Sequence, residues 1–177
     1  MTVLKNTDTK MVRRVGVHRN SLLSKLFRRT YFGLIMHGLE FSTALDVGAG
    51  DGRFSKWAGP SYRVTSIDIH PQTPFIEKAN FMKKEFAENS FDLVYCSHVI
   101  EHVSDFIAFA EKLEKVSKKY VVVICPLPNP SFWDEPTHVR PFTAEALKRL
   151  FFRLKPVRVF DLNIPFVISS CVGVFQK

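Results

Sequence analysis

Two clusters of residues in this sequence have the types and spacing to do chemistry. The first is the run Leu45-Asp46-Val47-Gly48-Ala49-Gly50-Asp51-Gly52-Arg53-Phe54-Ser55, in which glycines follow an aspartate at alternate positions. Glycine lets the backbone take positive φ and approach a ligand closely. Asp46, Gly48, Ala49, Gly50 and Gly52 therefore read as a loop that cradles a nucleotide-like ligand. Asp68 comes 22 residues after Asp46, at the end of the next β-like run, where a carboxylate can accept both hydroxyls of a ribose. The second cluster is His98-x-x-Glu101-His102, with His138 further along. Imidazole and carboxylate can take a proton from a reacting group or hold a divalent transition ion.

The loop discriminates among ligands. A triphosphate-binding loop ends in Gly-Lys-Ser/Thr, whereas Gly52 is followed by Arg53 and Phe54. A dinucleotide fingerprint, counted from Gly48 and Gly50, needs a third glycine where Arg53 stands. A side chain there crowds the helix–strand packing that the third glycine permits. An acid just before the turn suits a ligand carrying an ammonium group instead of a pyrophosphate.

Elements able to position these residues follow in alternation. Residues 1–40 form a basic arm, in which Asp8 and Glu40 oppose eight lysines and arginines, out of a net charge of +8 for the whole chain. From Asn20 or Ser21 as N-cap, Leu22, Leu23, Leu26, Phe27, Tyr31, Leu34 and Ile35 make one helical face, and Gly38 stops the helix. Residues 41–177 then read as the main domain. Buried strands are expected at 43–47, 62–69, 79–82, 91–97 and 120–125. A helix is expected after the fourth, capped by Ser104 and running to about Lys118, with Val103, Phe106, Ile107, Ala110 and Leu113 inward. A loop with Pro126, Pro128, Pro130, Pro136 and Pro141 follows, then a helix capped by Thr143, with Leu147 and Leu150 inward, and a closing antiparallel hairpin. Such alternation predicts a doubly wound α/β sheet with its ligand at the carboxyl ends of the strands.

With 177 residues, 46% hydrophobic and 24% charged, the chain can bury a full core. No run approaches the roughly 18 apolar residues of a membrane span, and the N-terminus lacks a signal peptide's apolar centre. Cys96, Cys125 and Cys171 each lie within an apolar segment, which predicts buried thiols in a reducing, cytoplasmic setting.

The segments "ALDVGAGDGRFS", "SIDIH", "NSFDLVYCSHVIEHV", "VVVICPLPN" and "THVRPFTAEALKRLF" together resemble the successive motifs of class I S-adenosylmethionine-dependent methyltransferases. The resemblance spans residues 41–177 and is strongest to the broad small-molecule branch of that family. It implies a Rossmann-like seven-stranded sheet of order 3-2-1-4-5-7-6 with strand 7 antiparallel, and S-adenosylmethionine as cofactor. It implies that Asp46, Gly48 and Gly50 lie near the methionine moiety, with Ala49 and Gly52 in the same cofactor-binding loop, Asp68 on the ribose and Ile69 by the adenine. Ser97, at the end of strand four, would lie beside the transferable methyl. Where relatives place an aspartate near the adenine amino group, this chain has Lys83, Lys84 and Glu85, so the contact is unassigned between backbone groups and Phe81 or Met82.

Within that frame, His98 and His138 are the candidate catalytic bases for an oxygen acceptor. The spacing of His98, Glu101, His102 and distal His138 is similar to the metal-binding pattern of small-RNA 2′-O-methyltransferases and of some quinone O-methyltransferases, where the first position is usually Glu. These four are the candidate ligands for a divalent metal. Phe132, Trp133 and Phe142 either wall the acceptor or pack the loop onto the body. The leading expectation is methyl transfer to a small organic acceptor at oxygen, with the 20–37 helix as a lid. The alternatives are an RNA substrate tracked by the basic arm and a non-catalytic partner subunit with the same fold. The amphipathic helix also suggests peripheral membrane contact.

Overall fold

The computed structural model describes residues 22–128, 130–164 and 168–177. Residues 1–21, and with them the N-cap and most of the basic arm anticipated from the sequence, lie outside the described residues. Helix α1 (Leu22–Met36) leads into β1 (Thr43–Val47), the glycine loop and α2 (Arg53–Ala58). Strands β2 (Arg63–Asp68), β3 (Glu77–Lys78) and β4 (Phe91–Ser97) follow. A single 3-10 turn (Ile100–His102) precedes α3 (Phe106–Val116) and β5 (Ser117–Pro126). After the proline-rich loop, α4 (Ala144–Leu150) precedes the hairpin of β6 (Lys155–Ile164) and β7 (Ile168–Gln176).

The sheet has the expected order, β3-β2-β1-β4-β5-β7-β6. Strands β1 to β5 pair in parallel, and β7 runs antiparallel to both β5 and β6. Strict alternation along the strands builds a core on each face. Leu45, Val94, Cys96, Val121 and Val123 pack under α3 and α4, through Leu113, Val116 and Leu147. Ala44, Leu93, Tyr95, Val122 and Ile124 pack under α1 and α2, through Phe32, Ile35 and Phe54. All three cysteines are free and buried. Among the described residues, no helix is long and apolar enough to cross a membrane.

Several local expectations need correction. The third strand is the two residues Glu77–Lys78, not 79–82. Asn80 explains the difference, because its side-chain oxygen accepts from the Met82 amide and its carbonyl accepts from Lys83 and Lys84. Such local bonding competes with a strand ladder. Helix α3 begins later than expected, with Asp105 as N-cap, its carboxylate accepting from the Ala108 amide at 3.1 Å. In this helix Ile107 faces outward and Phe109 inward. In α1 it is Phe32, Ile35 and Met36 that are buried, whereas Leu34 is exposed. The second half of α1 is thus a wall of the core, and its apolar face is covered by the sheet rather than left free for a bilayer. Phe32 packs against Phe54, Trp57 and Tyr95. With no basic residue in its own last turn, α1 is capped from β6: Arg158 donates to the carbonyls of Ile35 at 3.0 Å and His37 at 2.7 Å.

Candidate active site

The crevice between β1 and β4, where the strand order reverses, is the place at which such sheets bind ligands. Register places Asp46 opposite Ser66 on β2 and Tyr95 on β4, with Asp68 and Ser97 two residues further along their strands. The glycine loop leaves β1 with Gly48, Gly50 and Gly52 all at positive φ (74°, 55° and 75°), a conformation that L side chains rarely adopt. A Cβ on Gly48 would run into Val99 Cγ2, and one on Gly52 into the ring of Phe75. Around Gly50 there is open space. Two glycines therefore permit close packing, and the middle one faces the room in which a ligand can approach.

Asp68 holds this loop in shape. One of its carboxylate oxygens accepts from the Gly50 amide at 2.8 Å and the other from the His70 amide at 2.7 Å. Each oxygen retains a second lone pair for a ribose hydroxyl. Asp46 differs: it is 2% exposed, and its Oδ2 has no hydrogen-bond partner. Burial, with Asp68 and Asp51 adding like charge, pushes its pKa up to about 7. A buried acceptor left without a donor is costly, and the ammonium group of an amino acid would satisfy it. The loop, the orphaned carboxylate and Asp68 thus fit the methionine and ribose portions of S-adenosylmethionine.

Of the residues expected near the adenine, Ile69 and Met82 are exposed, as is Phe75 beside the glycine loop. Phe81 is not available there: it is buried against Phe109 on the α3 face.

The second cluster lies at the end of β4 and abuts the loop through Val99. His98 takes φ 55°, unusual for a residue with a side chain, and its amide donates to the Ile124 carbonyl at 2.8 Å. Its ring is 53% exposed, with Nδ1 at 3.4 Å from Glu101 Oε1. Glu101 itself is 0% exposed, and neither carboxylate oxygen has a hydrogen-bond partner. Its backbone carbonyl accepts from the Val139 and Arg140 amides, tying the proline-rich loop to the end of β4. That tie brings His138 beside His102, with ring centroids 4.8 Å apart. Of the four predicted metal candidates, Glu101, His102 and His138 bring donor atoms within 4.8 Å of one another, and His98 stands outside that group.

The loop aromatics divide. Phe132 and Phe142 are buried and serve packing, and only Trp133 is exposed. Sequence reasoning missed Val99, Phe75 and Thr137. Each acts through tertiary contact, and only the position of Thr137 beside His138 hinted at a role.

Comparison with known proteins agrees with this geometry. The family model described as "Methyltransferase domain" matches residues 18–154. No curated protein sequence matches the chain. Among solved structures, a SAM-dependent methyltransferase from Archaeoglobus fulgidus superimposes with TM-score 0.67 at 17% identity, over 88% of this chain and 93% of that one. The 1,6-didemethyltoxoflavin-N1-methyltransferase of Burkholderia thailandensis, solved with 1,6-didemethyltoxoflavin and S-adenosylhomocysteine, gives TM-score 0.70 at 15% identity, covering 90% and 81%. The N-methyltransferase NodS of Bradyrhizobium japonicum WM9, in complex with S-adenosylhomocysteine, gives 0.69 at 16% identity and 89% of each chain. With the family model covering most of the chain and the glycine loop built as it is, the protein belongs to the methyltransferase-domain family and is a class I S-adenosylmethionine-dependent methyltransferase.

Proposed function

We infer that this enzyme methylates a small organic acceptor at oxygen, with the acceptor over the carboxyl ends of β4 and β5 and His98 as the general base. S-adenosylmethionine supplies an electrophilic methyl on a sulfonium, so positioning carries much of the catalysis. In this reading Asp46 takes the ammonium group, Asp68 the ribose, Ile69 borders the adenine, and Ser97 lies beside the methyl. Trp133 offers an apolar wall for the acceptor.

The observation that supports the base is the pairing of His98 with Glu101. A fully buried carboxylate 3.4 Å from Nδ1 favours the tautomer with hydrogen on Nδ1, leaving Nε2 to accept the acceptor's proton. Small size of the acceptor is in keeping with the toxoflavin precursor held by the Burkholderia thailandensis enzyme. The RNA reading rested on the basic arm, of which Lys5, Lys10, Arg13, Arg14 and Arg19 lie outside the described residues.

The test is a panel of small hydroxylated and amine acceptors assayed with wild type and His98→Ala. General-base loss should lower kcat about 10²–10⁴-fold. Affinity for S-adenosylhomocysteine should be unchanged. Turnover of amines alone, with His98→Ala at full rate, overturns the proposal.

A further inference from the structure

We propose that Glu101, His102 and His138 form a binding site for one divalent transition-metal ion of the zinc class, beside the position of the acceptor. The site stands on three observations, and only its part in catalysis rests on the function inferred above.

The first observation is the state of Glu101. A carboxylate with no solvent exposure and no hydrogen bond to either oxygen has lost its hydration without replacement. Its neighbours do not repair this. His102 Nε2 is 4.0 Å from Oε1, beyond hydrogen-bond length, and His98 Nδ1 at 3.4 Å reaches only one oxygen, without hydrogen-bond geometry. A cation is the group that would satisfy it.

The second observation fixes the imidazoles. His138 Nδ1 lies 2.6 Å from the Phe132 carbonyl, which can only accept, so Nδ1 carries the hydrogen. His102 Nδ1 lies 3.2 Å from the Thr137 carbonyl and 2.9 Å from Thr137 Oγ1. That hydroxyl is engaged with Glu135 at 2.9 Å, so His102 Nδ1 again donates. Both rings are therefore held by their Nδ1 hydrogens with Nε2 bare. Metal-binding histidines are oriented in this manner, through a carbonyl or carboxylate behind the ring.

The third observation is convergence. The donor atoms of all three residues lie within 4.8 Å of one another. Bonds from zinc to nitrogen and oxygen are about 2.0–2.2 Å, so inward movements of less than about an ångström close the site. Two imidazoles and one carboxylate suit Zn²⁺, Fe²⁺ or Mn²⁺ better than Mg²⁺. Three protein ligands leave a fourth position open. An acceptor hydroxyl bound there would lose its proton more readily, and the proton would pass to His98.

Protein without a histidine tag, stripped with chelator, would be titrated with Zn²⁺ by calorimetry and with Co²⁺ by visible absorption. One ion per chain is expected, with a Co²⁺ spectrum of low coordination number. His102→Ala and His138→Ala should each weaken binding at least about 100-fold, since even loss of an outer hydrogen-bond partner costs about 10–100-fold. His37→Ala, on the exposed surface, should bind as wild type. Thermal melts and S-adenosylhomocysteine binding show that each variant is folded. Absence of stoichiometric binding, or binding equally strong in both His102→Ala and His138→Ala, overturns the site. Methyl transfer by a metal-free enzyme would overturn the ion's catalytic part while leaving the inferred reaction standing. A bound ion with no hydroxyl acceptor turned over would do the reverse.

Discussion

Replacing Asp46 by asparagine should stabilise the ligand-free protein while weakening its hold on the cofactor. The buried carboxyl has its pKa pushed from 3.8 to about 7, first by desolvation and then by Asp68 and Asp51. A difference of about 3 units, at 1.36 kcal/mol each, is about 4 kcal/mol. Because the folded state holds the proton more tightly than the unfolded chain, this stability is fully present below pH 3.8. It is lost as the pH climbs to about 7, beyond which the buried carboxylate is charged with its Oδ2 unpartnered. Asparagine is neutral throughout, so Asp46→Asn should gain about 2–4 kcal/mol over wild type at pH 8 and little at pH 4. Cofactor binding moves the other way. A bond between charged groups contributes about 1.5–3 kcal/mol, so affinity for S-adenosylhomocysteine should fall about 10- to 150-fold at pH 8. Wild-type affinity should itself weaken below pH 7 as the carboxyl takes up its proton. Urea denaturation of the ligand-free proteins at pH 4 and 8, with calorimetric titration of S-adenosylhomocysteine, measures both effects. An Asp46→Asn protein less stable than wild type at pH 8, or one binding the nucleoside equally well, would refute the reasoning.

The loop glycines should separate by what a methyl group would meet. Gly50→Ala should cost only the left-handed backbone, about 1–2 kcal/mol. Gly48→Ala adds a clash with Val99 and should lose more stability in denaturant titrations, displacing the His98–His102 segment as well. Asp68→Asn leaves one of the Gly50 and His70 amides without an acceptor, so calorimetry should show at least about tenfold weaker S-adenosylhomocysteine binding. Arg158→Met removes both bonds to the end of α1. At about 2 kcal/mol this corresponds to a fall in Tm of about 4–8 °C, read by calorimetry.

The parallel sheet and its ligand end could be read from the sequence because those features are local. Runs such as Val121–Ile124 are β-branched throughout, and the Asp46 loop carries its conformational demand in its glycines. The weak points were positions where a side chain competes with the ladder or shifts a helix by one residue. Asn80 shortened β3, capping by Asp105 started α3 one residue later, and Phe109, not Ile107, met the core. Periodicity cannot choose between adjacent caps, because Ser104 and Asp105 are both good ones. The second cluster was half legible. Its residue types stood in the sequence, but the burial of Glu101 and the union of His102 with His138 depend on the Val139 and Arg140 amides reaching the Glu101 carbonyl across the fold.

Asp46 and Glu101 set the character of the whole site. Each is a buried carboxylate, Asp46 with Oδ2 unpartnered under the glycine loop and Glu101 with both oxygens unpartnered beyond the end of β4. Folding leaves such groups unsatisfied only at a cost, and a core of apolar residues at both places would be more stable. Val99 links the two by resting on Gly48 while it belongs to the His98–His102 segment. The crevice is therefore edged by a buried carboxyl group on each side. The ligand inferred for the Asp46 side carries an ammonium and a sulfonium, and that proposed for the Glu101 side is a metal cation. Positive charge entering from either side relieves strain the fold already carries.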